Sequence, residues 1–269
     1  MKKLTTLLLT IVLLCSALIG CSNTPLDPIF SNEEALPDID PIPAYEITSY
    51  DKEETIDGFA LKGKKFTYGE KEVLVLNVEN QTEKNYSATI RVTFLDENGN
   101  DVGNGVQWLD QFTTGFQTFF VYENSKKFDS YTCTLMLVEN HSKSAVNFMN
   151  NVTTAWLGFD DVKAESMDQS EVDYVKYPTL ASRVLMENQT DDSYNVTYRV
   201  LVFNEADEIV EMYTDTKGIE AQSKAHHLYS LIQTLEGEVE WPEEYKGDLH
   251  AMIITTNVVK IINKNNGSV

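Results

Sequence analysis

Residues 78–102 read VENQTEKNYSATIRVTFLDENGNDV, and residues 186–210 read MENQTDDSYNVTYRVLVFNEADEIV. The offset is a constant 108 residues with no gap, and ten of the 25 positions are identical, far above chance. The pairs Glu79/Glu187 through Thr82/Thr190, Tyr86/Tyr194, Arg91/Arg199 and Val92/Val200 carry the match. The chain therefore contains a tandem duplication of a unit of roughly 110 residues. Within each copy the apolar residues alternate with period two, which specifies strand rather than helix. Tyr86, Ala88, Ile90, Val92 and Phe94 share one face, and Ser87, Thr89, Arg91 and Thr93 share the other. The second copy keeps the phase: Tyr194, Val196, Tyr198, Val200 and Val202 against Asn195, Thr197 and Arg199. One buried face and one wet face is the pattern of antiparallel sheets. The two copies are expected to place Tyr86, Ile90 and Val92 where the other places Tyr194, Tyr198 and Val200.

Val73-Leu74-Val75-Leu76-Asn77-Val78 reads as the preceding strand, with the ENQT segment turning into the next. Asn98-Gly99 is a two-residue hairpin signal. Phe116–Tyr122 and Tyr131–Val138 supply further strands, and Leu249–Thr255 matches the last of these in the second copy. No long 3.6-period stripe occurs. The elements Val78 to Thr82, then Val92-Thr93-Phe94-Leu95-Asp96-Glu97-Asn98-Gly99, then Gly115 before a strand, resemble the small bacterial immunoglobulin-like domains of the FxLYD type. The resemblance covers the core of each repeat; in the second copy Asn204-Glu205-Ala206-Asp207 replaces the Asp-x-Asn-Gly turn. It implies an extracytoplasmic fold and no activity. The expected fold class is all-β: two tandem immunoglobulin-like antiparallel β-sandwiches, over 45–150 and 151–269.

The start of the chain gives an address. Lys2 and Lys3 precede the apolar run Leu7–Leu14 and Ala17-Leu18-Ile19, too short and interrupted for a spanning helix. It ends in Leu18-Ile19-Gly20-Cys21, which resembles a bacterial lipobox. That places signal cleavage after Gly20 and diacylglycerol on the thiol of Cys21. Residues 1–20 are then the signal, and 21–44 a tether rich in proline and acid, carrying five of the seven prolines. Such a segment is a disordered, extended spacer, at ~3.1 Å per residue in polyproline conformation. The expected location is the extracytoplasmic face of a cell membrane, in a Gram-positive bacterium: arginine is scarce (Arg91, Arg183, Arg199) and lysine and asparagine abundant.

Charge narrows the partners. The whole chain carries 21 basic and 42 acidic residues, net −21. Loss of Lys2 and Lys3 with the signal leaves 19 against 42, a net charge of −23. A phosphate-binding face needs clustered Lys and Arg, so nucleic acid is disfavoured. Cys15 leaves with the signal and Cys21 is acylated, so Cys133 is the one free thiol, read as a buried small hydrophobe in an alternating strand.

Catalytic constellations are absent. Asp96-Glu97-Asn98-Gly99-Asn100-Asp101 lacks the spacing of a calcium loop, with Gln107 where the twelfth-position glutamate belongs, and reads as a turn. His141, His226, His227 and His250 have no metal-ligand spacing. Ser49-Tyr50-Asp51-Lys52 matches S-x-x-K without its companion motifs. Seven N-x-S/T strings, at Asn80, Asn85, Asn140, Asn151, Asn188, Asn195 and Asn266, carry no address in a bacterium. Arg91 and Arg199 sit at equivalent outward positions. Trp108, Trp156 and Trp241 are either core residues or contacts. The second copy is longer near Leu235–Tyr245, where five acids surround Trp241 and Tyr245, making that loop a candidate contact surface.

The expectation is a non-enzymatic binding or interaction module with no cofactor and no metal. Its partners are the membrane, through the acyl anchor, and an envelope protein or a glycan. The candidate ligand-binding residues are Trp241, Tyr245 and Trp108. The alternatives are an envelope enzyme or accessory with a site between the repeats, and a passive surface spacer.

Overall fold

The computed structural model describes residues 40–140, 148–162, 179–233, 243–245 and 247–262, all within one unit, Asn32–Val269. Gly20, Cys21, most of the tether and Trp241 lie outside the described residues. Among the described residues, thirteen strands and two short 3-10 turns make up the regular structure, with no α-helix. The chain is an all-β, antiparallel sandwich protein.

In the first repeat, β1 (Lys52–Ile56), β2 (Phe59–Tyr68), β3 (Lys71–Asn80), β4 (Tyr86–Leu95), β5 (Asp101–Phe112), β6 (Gln117–Asn124) and β7 (Ser130–Glu139) form two sheets. Sheet I has the order β5-β4-β7 and sheet II the order β1-β2-β3-β6. In the second, β8 (Val152–Val162), β9 (Thr179–Asn188), β10 (Tyr194–Phe203), β11 (Ile209–Ile219), β12 (Ser223–Gln233) and β13 (His250–Lys260) give sheet III, β11-β10-β13, and sheet IV, β12-β9-β8. The topologies match strand for strand: β5-β4-β7 corresponds to β11-β10-β13, and β2-β3-β6 to β8-β9-β12. Arg91 pairs with Val106 and Thr134; Arg199, 108 residues on, pairs with Thr214 and Ile254. β1 has no counterpart among the described strands.

Each alternating face builds its own core. Leu74, Leu76, Val78, Ile90, Val92 and Phe94 close the space between sheets I and II. Val184, Met186, Tyr194, Tyr198 and Val200 do so between sheets III and IV. Ile90, Val92, Tyr198 and Val200 are fully buried at equivalent positions, while Tyr86 is only half-buried where Tyr194 is buried. Trp156 belongs to the second core, its indole N–H donating to Ser182 Oγ at 2.9 Å.

One expectation fails in a specific way: β3 and β10 are buried on both faces. Val73 and Val75 point away from the first core, Leu201 and Phe203 away from the second, and all four are 0% exposed. They meet in a third cluster with Phe66, Val121, Ile209, Met252 and Ile254. Sheet II thus lies against sheet III, and the layers run I, II, III, IV. The contact is heterologous, because it joins the β2-β3-β6 sheet of one repeat to the β5-β4-β7 type of the other.

Residues 40–44, which the proline pattern assigns to the spacer, lie against the second repeat. The Ile42 amide donates to the Trp156 carbonyl and the Tyr45 amide to the Ala251 carbonyl, both at 2.9 Å. Ile42 packs on the second core. The Tyr45 ring stacks on Phe203 with centroids 3.8 Å apart, and its edge approaches Phe66 at 6.1 Å. The apolar residues Ile42 and Tyr45 explain why the chain adheres here: each buries surface an open spacer would leave wet.

Candidate functional site

The motif that led the sequence comparison is structural. In ENQT, Asn80 is fully buried; its Nδ2 donates to the carbonyls of Lys84 and Phe112, each at 2.8 Å. Its Oδ1 accepts from the Thr82 amide at 3.0 Å and the Thr82 hydroxyl at 2.7 Å. Asn188 repeats the network with Asp192 and Glu220 as acceptors, at 2.8 and 2.7 Å, and Thr190 as double donor, at 3.0 and 2.8 Å. Both side chains have spent their amide donors, so these two N-x-T strings are turn corners.

The other candidates resolve similarly. Asp96 Oδ1 accepts from the amides of Asn98 and Asn100, at 2.9 and 2.8 Å, closing a turn on Gly99. Asn204 takes that role in the second copy, accepting from the amides of Ala206 and Glu208 at 3.0 Å each. Asp207 adopts φ +60° where Gly99 has +78°, so the turn departs in letters more than in geometry. Cys133 is half-buried beside Glu54; burial first, and then the carboxylate, push its thiol up to about 12. A thiol that hard to ionise is a packing group. His227 points into the second core, with Nε2 lacking a hydrogen-bond partner, and burial holds its pKa down at about 4. Tyr245 packs on its own repeat: its hydroxyl donates to Glu211 Oε2 at 2.7 Å and its ring meets Phe159 edge-on at 5.1 Å. It lines a cavity of about 450 Å³ with Ile42, Trp156 and His250.

Trp108 stands apart, 64% exposed. It lies on β5, on the outer face of sheet I, in a row with Thr89 and Met136. The adjacent row is Val106, Arg91 and Thr134. On the other side lie Asp110, Ser87 and Val138, with the Ser87 hydroxyl donating to Asp110 at 2.5 Å. Val106, Met136 and Val138 are 49%, 55% and 68% exposed. Trp108 also borders a cleft of about 580 Å³ between β5, the 3-10 turn at Met149–Asn151 and the end of β13, lined by Phe148, Met149, Asn257 and Val259. The structure thus joins Trp108 to residues the sequence reading left unremarked, Val106, Met136 and Val138, and does not bring Tyr245 to them.

The duplication supplies an internal reference for this face. Its counterpart in the second repeat is the sheet III face that sheet II covers. There Arg199 donates through Nε to Thr214 Oγ1 at 3.0 Å and through Nη1 to the carbonyl of Val121, in the other repeat, at 3.4 Å. Arg91, at the same position, is exposed and has no hydrogen-bond or ion-pair partner among the described residues. One copy of the face is an interface, and among the described residues the other is open.

No family model matches the sequence, and no curated protein matches it. Among solved structures, red sea bream transglutaminase is similar at 8% identity and a TM-score of 0.22, over 75% of this chain. The chain spans only 31% of that protein's length. The N-terminal CBM22-1-CBM22-2 tandem domain of a Paenibacillus barcinonensis protein is similar at 10% identity and a TM-score of 0.13, over 81% of this chain and 99% of that one. Likenesses this slight carry nothing about function.

Proposed function

We propose that this chain is an extracytoplasmic lipoprotein, acylated at Cys21, whose body is a non-enzymatic binding module, and that the outer face of sheet I is its contact surface. The observation that carries the contact surface is the contrast between Arg199 and Arg91. The same face is sealed by a sheet in one repeat and left open in the other, where it carries Val106, Trp108, Met136 and Val138. Contiguous exposed apolar side chains on a soluble surface mark contact sites. The anchor rests on Leu18-Ile19-Gly20-Cys21. A Cys133 thiol pushed up to about 12 favours binding over nucleophilic chemistry.

Two measurements test the reading. Labelled palmitate should enter the wild-type protein in cells and be absent from Cys21→Ala; an unlabelled wild type removes the anchor from the proposal. A photo-crosslinking residue at position 89, in the centre of the open face, should give adducts in cells that Met136→Lys abolishes. Adducts no more abundant than from a control position at the Asn204 turn would sink the contact surface.

A further inference from the structure

We infer that the occupant of the open face is a second copy of this chain, related by a two-fold axis that crosses the strands of sheet I. This rests on the contact-surface reading above and names its partner. The charges around the apolar row are arranged to suit that symmetry. Arg91 lies on the Val106 side of Trp108, and Asp110 lies two residues beyond Trp108 on the other side. At about 3.3 Å per residue, the two charges are roughly 13 Å apart along the strand direction, with Trp108 and Met136 between them. Rotation by 180° about an axis across the strands exchanges the two ends of the patch. It lays Trp108 on Trp108 and Met136 on Met136, and it brings each Arg91 to the Asp110 of the other copy. The face is then self-complementary in the isologous sense: the Arg91–Asp110 pair forms twice, and the apolar row meets itself.

The competing axis, parallel to the strands, stacks Arg91 on Arg91 and is excluded by like-charge repulsion. Thr89 lies at the centre of the row, smaller than either neighbour, and leaves room for the two pairs of large side chains. Arg91 is available for the exchange because no described residue engages it, and its duplicate Arg199 already serves an interface from the same position. Three strands about 4.8 Å apart and ten residues long offer a face of about 15 × 33 Å. Two such faces bury about 1,000 Å², the low end of specific interfaces, so the association is weak in solution. On a membrane surface it gains from confinement of both copies.

The test is sedimentation equilibrium of the body from residue 22 with Cys21 removed, over about 5–200 μM. Wild type should show a concentration-dependent monomer–dimer equilibrium. Arg91→Asp alone and Asp110→Arg alone should each weaken dimerisation at least about tenfold, and the double exchange should restore it to within about threefold of wild type. Trp108→Lys should leave only monomer, with the thermal midpoint of the fold retained because Trp108 is exposed. A wild type that stays monomeric throughout overturns the proposal, as does a double exchange no better than the single variants. The position-89 cross-linker separates this failure from failure of the contact surface. Adducts of twice the chain mass support the second copy. Adducts with another protein, from a chain that is monomeric in solution, keep the surface and reject the second copy. No adducts reject both.

Discussion

At the scale of single residues, the buried asparagines set what each repeat can tolerate. Asn188 makes four hydrogen bonds at one corner, and its removal strands the carbonyls of Asp192 and Glu220 together with the Thr190 amide. Leaving buried polar groups unmade costs about 1–3 kcal/mol each where water cannot reach them, so Asn188→Ala should cost about 2–4 kcal/mol in urea unfolding. Asn188→Asp should be nearly as costly, since a carboxylate cannot donate; a loss under about 1 kcal/mol in both variants would remove the corner from the account. The letters of this motif were legible in the sequence through their repetition, but an N-x-T string has several meanings until its donors and acceptors are counted in space. His227 gives a pH dependence. Burial holds it neutral, with its pKa near 4 against an ordinary 6.5; Lys217 and His226 lower it further and Asp215 opposes them. Protonation therefore favours the unfolded chain. The stability this residue contributes is complete above pH about 6.5 and lost as pH falls toward 4, about 3 kcal/mol over the window. His227→Leu should flatten the urea midpoint between pH 6.5 and 4.5. An equally steep wild-type and variant profile would assign the slope to other groups. Nothing in the string His226-His227 tells which ring is buried; only strand phase, fixed by β9, decides it.

At the scale of elements, strands were the most legible feature, because alternation is a local signal and the faces follow from it. Tyr86–Phe94 and Tyr194–Val202 pair as their patterns require, and their inner faces are buried except at the half-buried Tyr86. Turns were legible where chemistry is specific, as at Asn98-Gly99, and obscured where another residue adopts the same backbone, as Asp207 does at φ +60°. Two features exceeded the local signal. Val73-Leu74-Val75-Leu76 and Val200-Leu201-Val202-Phe203 are continuous apolar runs, whereas their repeat mates, Ala181-Ser182-Arg183-Val184 and Val92-Thr93-Phe94-Leu95, are interrupted by polar residues. A continuous run in a strand means burial on both faces. The difference between copies therefore recorded which face of each sandwich is covered, and it becomes readable once the registers are known. The segment Ile42–Tyr45 was obscured differently: proline and acid dominate its surroundings, while its few apolar residues dock on the second repeat and on Phe66.

At the scale of the whole molecule, the duplication predicts two similar bodies but not how they meet. A heterologous contact uses one kind of face from each repeat, so equivalent positions at the two copies of a face become differently loaded. Leu201 and Thr93 make the sharpest pair, 108 residues apart at the same strand position. Leu201 is fully buried between sheets II and III, and Thr93 is half-buried on the open face of sheet I. Exchanging each for the other tests the layer order without disturbing either inner core. Leu201→Thr removes apolar packing from the contact and buries a hydroxyl there, which should cost about 2–4 kcal/mol. Thr93→Leu adds apolar surface where no other layer lies, and should stay within about 0.5 kcal/mol of wild type. Were the repeats independent bodies on a string, both positions would be solvent faces and both substitutions near neutral. Urea unfolding of the two variants decides between these pictures. Calorimetry adds a second readout: coupling through the Phe66, Val75, Leu201 and Phe203 layer should make wild type melt in one transition, and Leu201→Thr should begin to separate the melting of the two sandwiches.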